Sequence, residues 1–229
     1  WFSELSNKDV AIAGGKGASL AEMANNKFPV PPGFVITAQA YQFFIHESGL
    51  GERIKEILSD LNIEDTDALN EASAKIKSIV RAGKMPKELE EGIVEAYNIL
   101  DVEKKDIANA TSGALGILKT GHEPPFVAVR SSATTEDLAD ASFAGQQESF
   151  LNVKGEKKLL LKVKDCIASL FTARAIYYRQ KKGFDHSKAY LAVVVQKMID
   201  SEKSGVVFSQ DPTSNKKNIV IEAVWGLGE

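Results

Sequence analysis

Residues 126–153, FVAVRSSATTEDLADASFAGQQESFLNV, change the character of the chain. Phe126 to Val129 are an unbroken apolar run of the kind a buried strand needs, a Ser/Thr/Gly-rich loop follows, and Glu148 to Val153 return as a second strand. Before Pro124 and Pro125 the pattern is helical. Leu20, Met23 and Ala24 mark a helix that ends near Asn25 and Asn26, and another runs from Ala38 to about Glu47. Ile54, Ile57, Leu58 and Leu61 form a third apolar stripe, and Leu69, Ile76, Ile79 and Val80 a fourth. Pro86 at a first helical position opens a segment reaching Leu100. Pro29, Pro31, Pro32 and Gly33 interrupt the series and force an extended entry into a short strand, Phe34 to Thr37. Residues 101–120 read as helix plus loop. Downstream, Leu159, Leu160, Val163, Ile167 and Leu170 give a helical face, and Ala173 to Lys182 a further helix with Arg174, Arg179, Lys181 and Lys182 exposed. YLAVVVQKMI, SGVVFSQD and NIVIEAVW are three strands whose short turn signals favour antiparallel pairing between neighbours. The order predicts an α+β fold with a helix-rich N-terminal half, residues 1–125, and a sheet-based half, residues 126–229.

Composition narrows the class. The chain has 229 residues, 44% hydrophobic and 26% charged, a profile that supports a sizeable core. A net charge of -3, from 28 basic and 31 acidic residues, argues against a nucleic-acid footprint or a polybasic membrane patch. The single cysteine, Cys166, permits no intrachain disulfide and fits a reducing compartment, with cytoplasm the default. The longest apolar run, around Ala189 to Val195, is far below the roughly 20 residues of a spanning helix. The chain opens at Trp1 without a signal-peptide pattern and stops at Glu229 after a Gly-rich turn, so it reads as a piece of something longer.

Two stretches carry candidate chemistry. AGGKGASLAEM, residues 13–23, sets Lys16 between glycines at a helix mouth, where exposed N–H groups, the helix dipole and an ammonium together favour an anion. It is not a GxxxxGK[ST] loop, and a surface lysine beside a tight turn is the alternative. Arg130 ends the FVAV strand ahead of Ser131, Ser132, Thr134 and Thr135; it either grips phosphate oxygens, with the hydroxyls as added donors, or pairs with Glu136 or Asp137. Gly145 in SFAGQQES lets backbone approach a ligand, or simply shapes a turn. His46, His122 and His186 lack metal-ligand spacing and read as structural, and Cys166 as a small buried hydrophobe. Glu222 is equally a ribose or metal contact and a solvent-facing strand residue, and Gly226 and Gly228 shape a turn.

Together AGGKGASLAEM, PVPPGFVITAQAYQFF, AVRSSATTEDLADASFAGQQESFLNV, VVVQKMI, SGVVFSQDP and IEAVWGLGE resemble the nucleotide-binding end of the phosphoenolpyruvate synthase (pyruvate, water dikinase) family over nearly the whole chain. Pyruvate phosphate dikinase and rifampicin phosphotransferase share the GGKG loop and the arginine strand and are the alternatives, each departing from one of these stretches. A non-catalytic nucleotide-sensing module is a further one, disfavoured by the joint presence of Lys16, Arg130 and Gln196. The resemblance implies an incomplete ATP-grasp-like domain, with Lys16 and Arg130 on the ATP phosphates. It puts Gly145 and Ser149 in a phosphate-covering loop and Gln196 at the adenine, whose edge the following backbone reads. It also implies Mg²⁺, a phosphohistidine carrier and a pyruvate site on domains absent from this chain, with a homo-oligomer open for the full-length protein. The fragment alone is expected to be inactive.

Overall fold

The computed structural model describes residues 1–100, 123–134, 148–214 and 216–228. The helix plus loop expected over 101–120, His122 and Gly145 lie outside these residues. The chain gathers into two compact units, Trp1–Lys197 and Met198–Glu229. The change of character at Pro124 and Pro125 falls inside the first, where residues from both sides share one core.

In the first unit the helices are α1 (Val10–Asn25), α2 (Ala38–Glu47), α3 (Leu50–Ser59), α4 (Thr66–Ala82), α5 (Lys87–Asn98), α6 (Glu156–Ser169) and α7 (Ala173–Lys181). Its strands are β1 (Gly33–Ile36), β2 (Val127–Ala133), β3 (Ser149–Val153) and β4 (Leu191–Lys197). Local chemistry sets several starts. Thr37 accepts the Ala40 N–H at the head of α2, Asp65 accepts those of Asp67 and Ala68 before α4, and Thr172 accepts that of Ala175 before α7. Pro86 sits one residue outside α5, as its N-cap.

The strands form one antiparallel sheet in the order β1-β4-β2-β3. This corrects the expected pairing of neighbours, because β4 joins β1 and β2 rather than the strand that follows it. The reason is its apolar run: Leu191 to Val195 are buried on both faces of the sheet, which only a central strand with cover on each side satisfies. One face carries Phe34, Ile36, Val127, Val129, Val193 and Val195 into the main core, against helical residues such as Phe44, Ile76, Val163 and Ile176. The opposite face carries Val35 and Val194 against Phe2, Leu20, Ala21 and Ala24, so α1 and the N-terminal turn cover it.

The second unit contains β5 (Lys203–Phe208) and β6 (Val220–Trp225), an antiparallel pair with Val206 opposite Glu222. Asp211 orders the connection by accepting the Thr213 and Ser214 N–H groups at 2.8 and 3.2 Å. The two units together are mixed helix and antiparallel sheet, an α+β protein.

Candidate functional site

The site is built where α1 breaks. Gly14 has φ 68 and ψ 170, a backbone conformation essentially confined to glycine, and helical geometry resumes after it. Lys16 therefore stands in the first turn of a restarted helix, although a preceding helical turn from Val10 was not anticipated. The glycines seat this turn on the sheet. A Cβ on Gly14 would lie 2.2 Å from Ser132 Oγ, and one on Gly17 3.2 Å from Val35 Cγ2 and 3.6 Å from Val194 Cγ2.

Register then places the other candidates. Arg130 lies opposite Ser149 on one side and Val194 on the other, and Ala128 lies opposite Gln196. Directly opposed residues share a face, so Arg130, Ser132, Ser149, Val194 and Gln196 all belong to the face that α1 covers. Gln196 is diagonal to Arg130, a relation that separates side-chain roots by roughly 7–8 Å. The structure thus brings Lys16, Arg130, Ser149 and Gln196 to one side of the sheet. Lys16 and Arg130 are half-buried, Ser149 is exposed, and Gln196 is buried with Nε2 donating to the Pro31 carbonyl at 3.2 Å. The Lys197 N–H, which the sequence reading offered to the adenine edge, donates to the Pro32 carbonyl at 2.9 Å.

The hydroxyls beside Arg130 differ from expectation. Ser131 and Ser132 are fully buried and bonded to backbone, not open to a ligand. Ser131 Oγ donates to the Glu148 carbonyl at 3.1 Å, and Thr134 Oγ1 to the Tyr190 carbonyl at 3.2 Å. Ser132 Oγ donates to the Ala13 carbonyl at 2.9 Å and accepts the Gly17 N–H at 3.2 Å. Packing wins here because a seven-residue strand buried at all but one position leaves no room for solvent-facing hydroxyls.

The one cysteine is not a nucleophile. Burial, with lesser help from Glu148 and Asp165, pushes the Cys166 thiol well above the ordinary thiol range, while Lys162 and Lys16 oppose the shift. Cys166 is an inert core residue. No three His, Cys, Asp or Glu side chains gather into a metal-binding group among the described residues.

Arg179, expected on the surface, is 2% exposed. Its Nε donates to His186 Nδ1 at 3.1 Å and its Nη2 to the Leu170 carbonyl at 2.7 Å, and the guanidinium lies 5.7 Å from the Phe171 ring centre. Burial lowers its pKa to about 10. This is an internal clamp between α7 and the turns flanking it, and it makes His186 structural as expected. His46 is exposed beside Glu47.

Residues 10–229 match the family described as "Pyruvate phosphate dikinase, AMP/ATP-binding domain". Over its whole length the chain is 53% identical to a protein of Methanocaldococcus jannaschii named "Probable phosphoenolpyruvate synthase", of which it covers 18%. It is 46% identical to the protein of the same name in Methanothermobacter thermautotrophicus, covering 31% of it, and 43% identical to the "Phosphoenolpyruvate synthase" of Pyrococcus furiosus, covering 30%. The chain spans less than a third of the length of these relatives. With a match reaching from the first residue of α1 to the last residue, the chain belongs to the family of pyruvate phosphate dikinase AMP/ATP-binding domains.

Proposed function

We propose that this chain is the ATP-holding N-terminal part of a phosphoenolpyruvate synthase, an ATP-grasp-like domain that positions the nucleotide's phosphates for transfer. The full-length protein converts pyruvate, ATP and water to phosphoenolpyruvate, AMP and phosphate through a phosphohistidine carried beyond this chain. The observation that carries the reading is the meeting of the Lys16 turn with the Arg130 strand on one sheet face, in a chain whose family is named for AMP and ATP binding. In this reading Lys16 supplies a point charge at a helix start and Arg130 a planar, two-pronged donor, which suits a polyphosphate with charge on adjacent groups. Ser149, opposite Arg130, and Gly145 cover the phosphates; Gln196 borders the adenine. Residues 1–125 bring the lysine and residues 126–229 the arginine, as functional lobes rather than separately folding bodies. Phosphoryl transfer asks mainly for such positioning and charge neutralisation.

The test is Lys16→Ala and Arg130→Ala in the full-length protein, assayed by pyruvate-dependent AMP formation across ATP concentrations. Each loses a charge-assisted contact of about 1.5–3 kcal/mol, so ATP use should weaken by roughly tenfold to a hundredfold. Activity within twofold of wild type for both variants would sink the phosphate assignment.

A further inference from the structure

We infer that Ser132 is a positioning residue for ATP binding: its hydroxyl locks the Lys16 turn to the Arg130 strand without touching the nucleotide. The break at Gly14 strands two backbone groups, the Ala13 carbonyl ahead of it and the Gly17 N–H after it, and a helix break leaves such groups in need of partners. Ala13, Gly14 and Gly17 are all buried, so water is not at hand. One side chain serves both groups: Ser132 Oγ donates to the Ala13 carbonyl at 2.9 Å and accepts from the Gly17 N–H at 3.2 Å. Those contacts bracket Lys16 on both sides. On its own strand Ser132 stands two residues from Arg130 and on the same face. The hydroxyl is thus the polar tie between the two elements that carry the cations, and the close approach of Gly14 to the Ser132 backbone leaves the turn little freedom to slide.

A ligand that bridges two cations gains from having their spacing set beforehand, since ordering them on binding costs affinity. The inference rests on the reading of Lys16 and Arg130 as phosphate contacts. Its test uses the full-length protein with Ser132→Ala, which deletes the tie, and Ser132→Cys, which keeps nearly the same volume with a weaker hydrogen-bonding atom. Losing a helix-capping side chain, carried into ATP binding, corresponds to roughly a 5- to 30-fold rise in the KM for ATP. The expected result is that rise for Ser132→Ala, a smaller one for Ser132→Cys, an unchanged KM for pyruvate, and faster amide exchange at Gly17 than at Ala21. Faster exchange at Gly17 with the KM for ATP unchanged would mean a purely structural cap and overturn the proposal. If Lys16→Ala weakens ATP use and neither Ser132 variant does, Ser132 alone has been misassigned. If Lys16→Ala and Arg130→Ala are both neutral, the phosphate reading falls and this inference with it.

Discussion

Replacing Gly14 with alanine should be among the most damaging single-methyl changes available to this protein. A Cβ there would lie 2.2 Å from Ser132 Oγ, 2.4 Å from the Ser132 carbonyl oxygen and 2.6 Å from its carbonyl carbon. Two of those atoms are β2 backbone, so relief requires shifting a strand held on both sides by β3 and β4. The φ of 68 with ψ of 170 adds about 1–3 kcal/mol of backbone strain, and overpacking a tight interior about 1–3 kcal/mol. Displacing the Ser132 hydroxyl forfeits about 1 kcal/mol more. Allowing for overlap between these terms, the loss is about 3–6 kcal/mol, against typical stabilities of about 5–15 kcal/mol. Gly49 supplies the control, because it has φ 63 but nothing within 4 Å of a Cβ. Gly49→Ala should therefore cost only the left-handed backbone term, about 1–2 kcal/mol. Urea unfolding of the two variants beside wild type measures the difference. A Gly14→Ala loss within 1 kcal/mol of that for Gly49→Ala would refute the seating of α1 on β2.

Other outcomes follow from the same contacts. Burial, and secondarily the Arg179 guanidinium, lower the His186 pKa from 6.5 to about 4, so the neutral ring's contribution to stability is present above pH 6.5 and is lost as pH falls towards 4. The ring is half exposed, which reduces the effect to about 1 kcal/mol between pH 7.5 and pH 5; His186→Gln should remove that increment from a stability-versus-pH series, and an unchanged slope would count against the Arg179 clamp. Tyr97 donates to the Pro125 carbonyl at 2.8 Å and accepts the Gly155 N–H at 2.9 Å, so Tyr97→Phe should cost about 1–3 kcal/mol in chemical unfolding, whereas a loss below 0.5 kcal/mol would contradict those bonds (roughly, by the usual cost of an unmet buried group). Residues 1–229 by themselves should release no AMP from ATP in the presence of pyruvate; turnover by this piece would relocate the chemistry into it.

What could be read beforehand was local. The bounds of α2, Ala38–Glu47, follow from the apolar spacing behind Thr37. Lys16 among glycines and Arg130 at a strand end were visible as candidates, but each had a bland alternative that only the family resemblance weighed against. Three things were hidden, each for a nonlocal reason. The place of β4 depends on partners far away in sequence, and its unbroken LAVVV was the available signal for a strand covered on both faces. The work of Ser132 depends on a helix break 118 positions earlier in the chain, within the 115- and 119-residue spans of its two bonds. Arg179 sits on a polar helix face by composition, and its burial comes from groups elsewhere in the chain, among them the Leu170 carbonyl, His186, the Phe171 ring and Tyr41. The glycines of GGKG read as freeing N–H groups for an anion, but the Gly17 N–H donates to Ser132 Oγ, and what lies closest to a Cβ on Gly14 is Ser132.

The central position of β4 also bears on how the protein is made. The bond from Gln196 to the Pro31 carbonyl spans 165 residues, so β1 leaves the ribosome well before the strand that pairs with it. At about 5–20 residues per second the interval is roughly 10–30 s. During it the helices from α2 to α5 have time to form, since helical turns and short loops close in microseconds or less. Phe34 and Ile36, destined for the main core, meanwhile lack their cross-strand neighbours Val195 and Val193. The nascent chain thus passes through a stage in which an apolar strand edge is on offer to any other unfinished chain nearby, and its yield in the cell depends on how well that edge is shielded until β4 arrives.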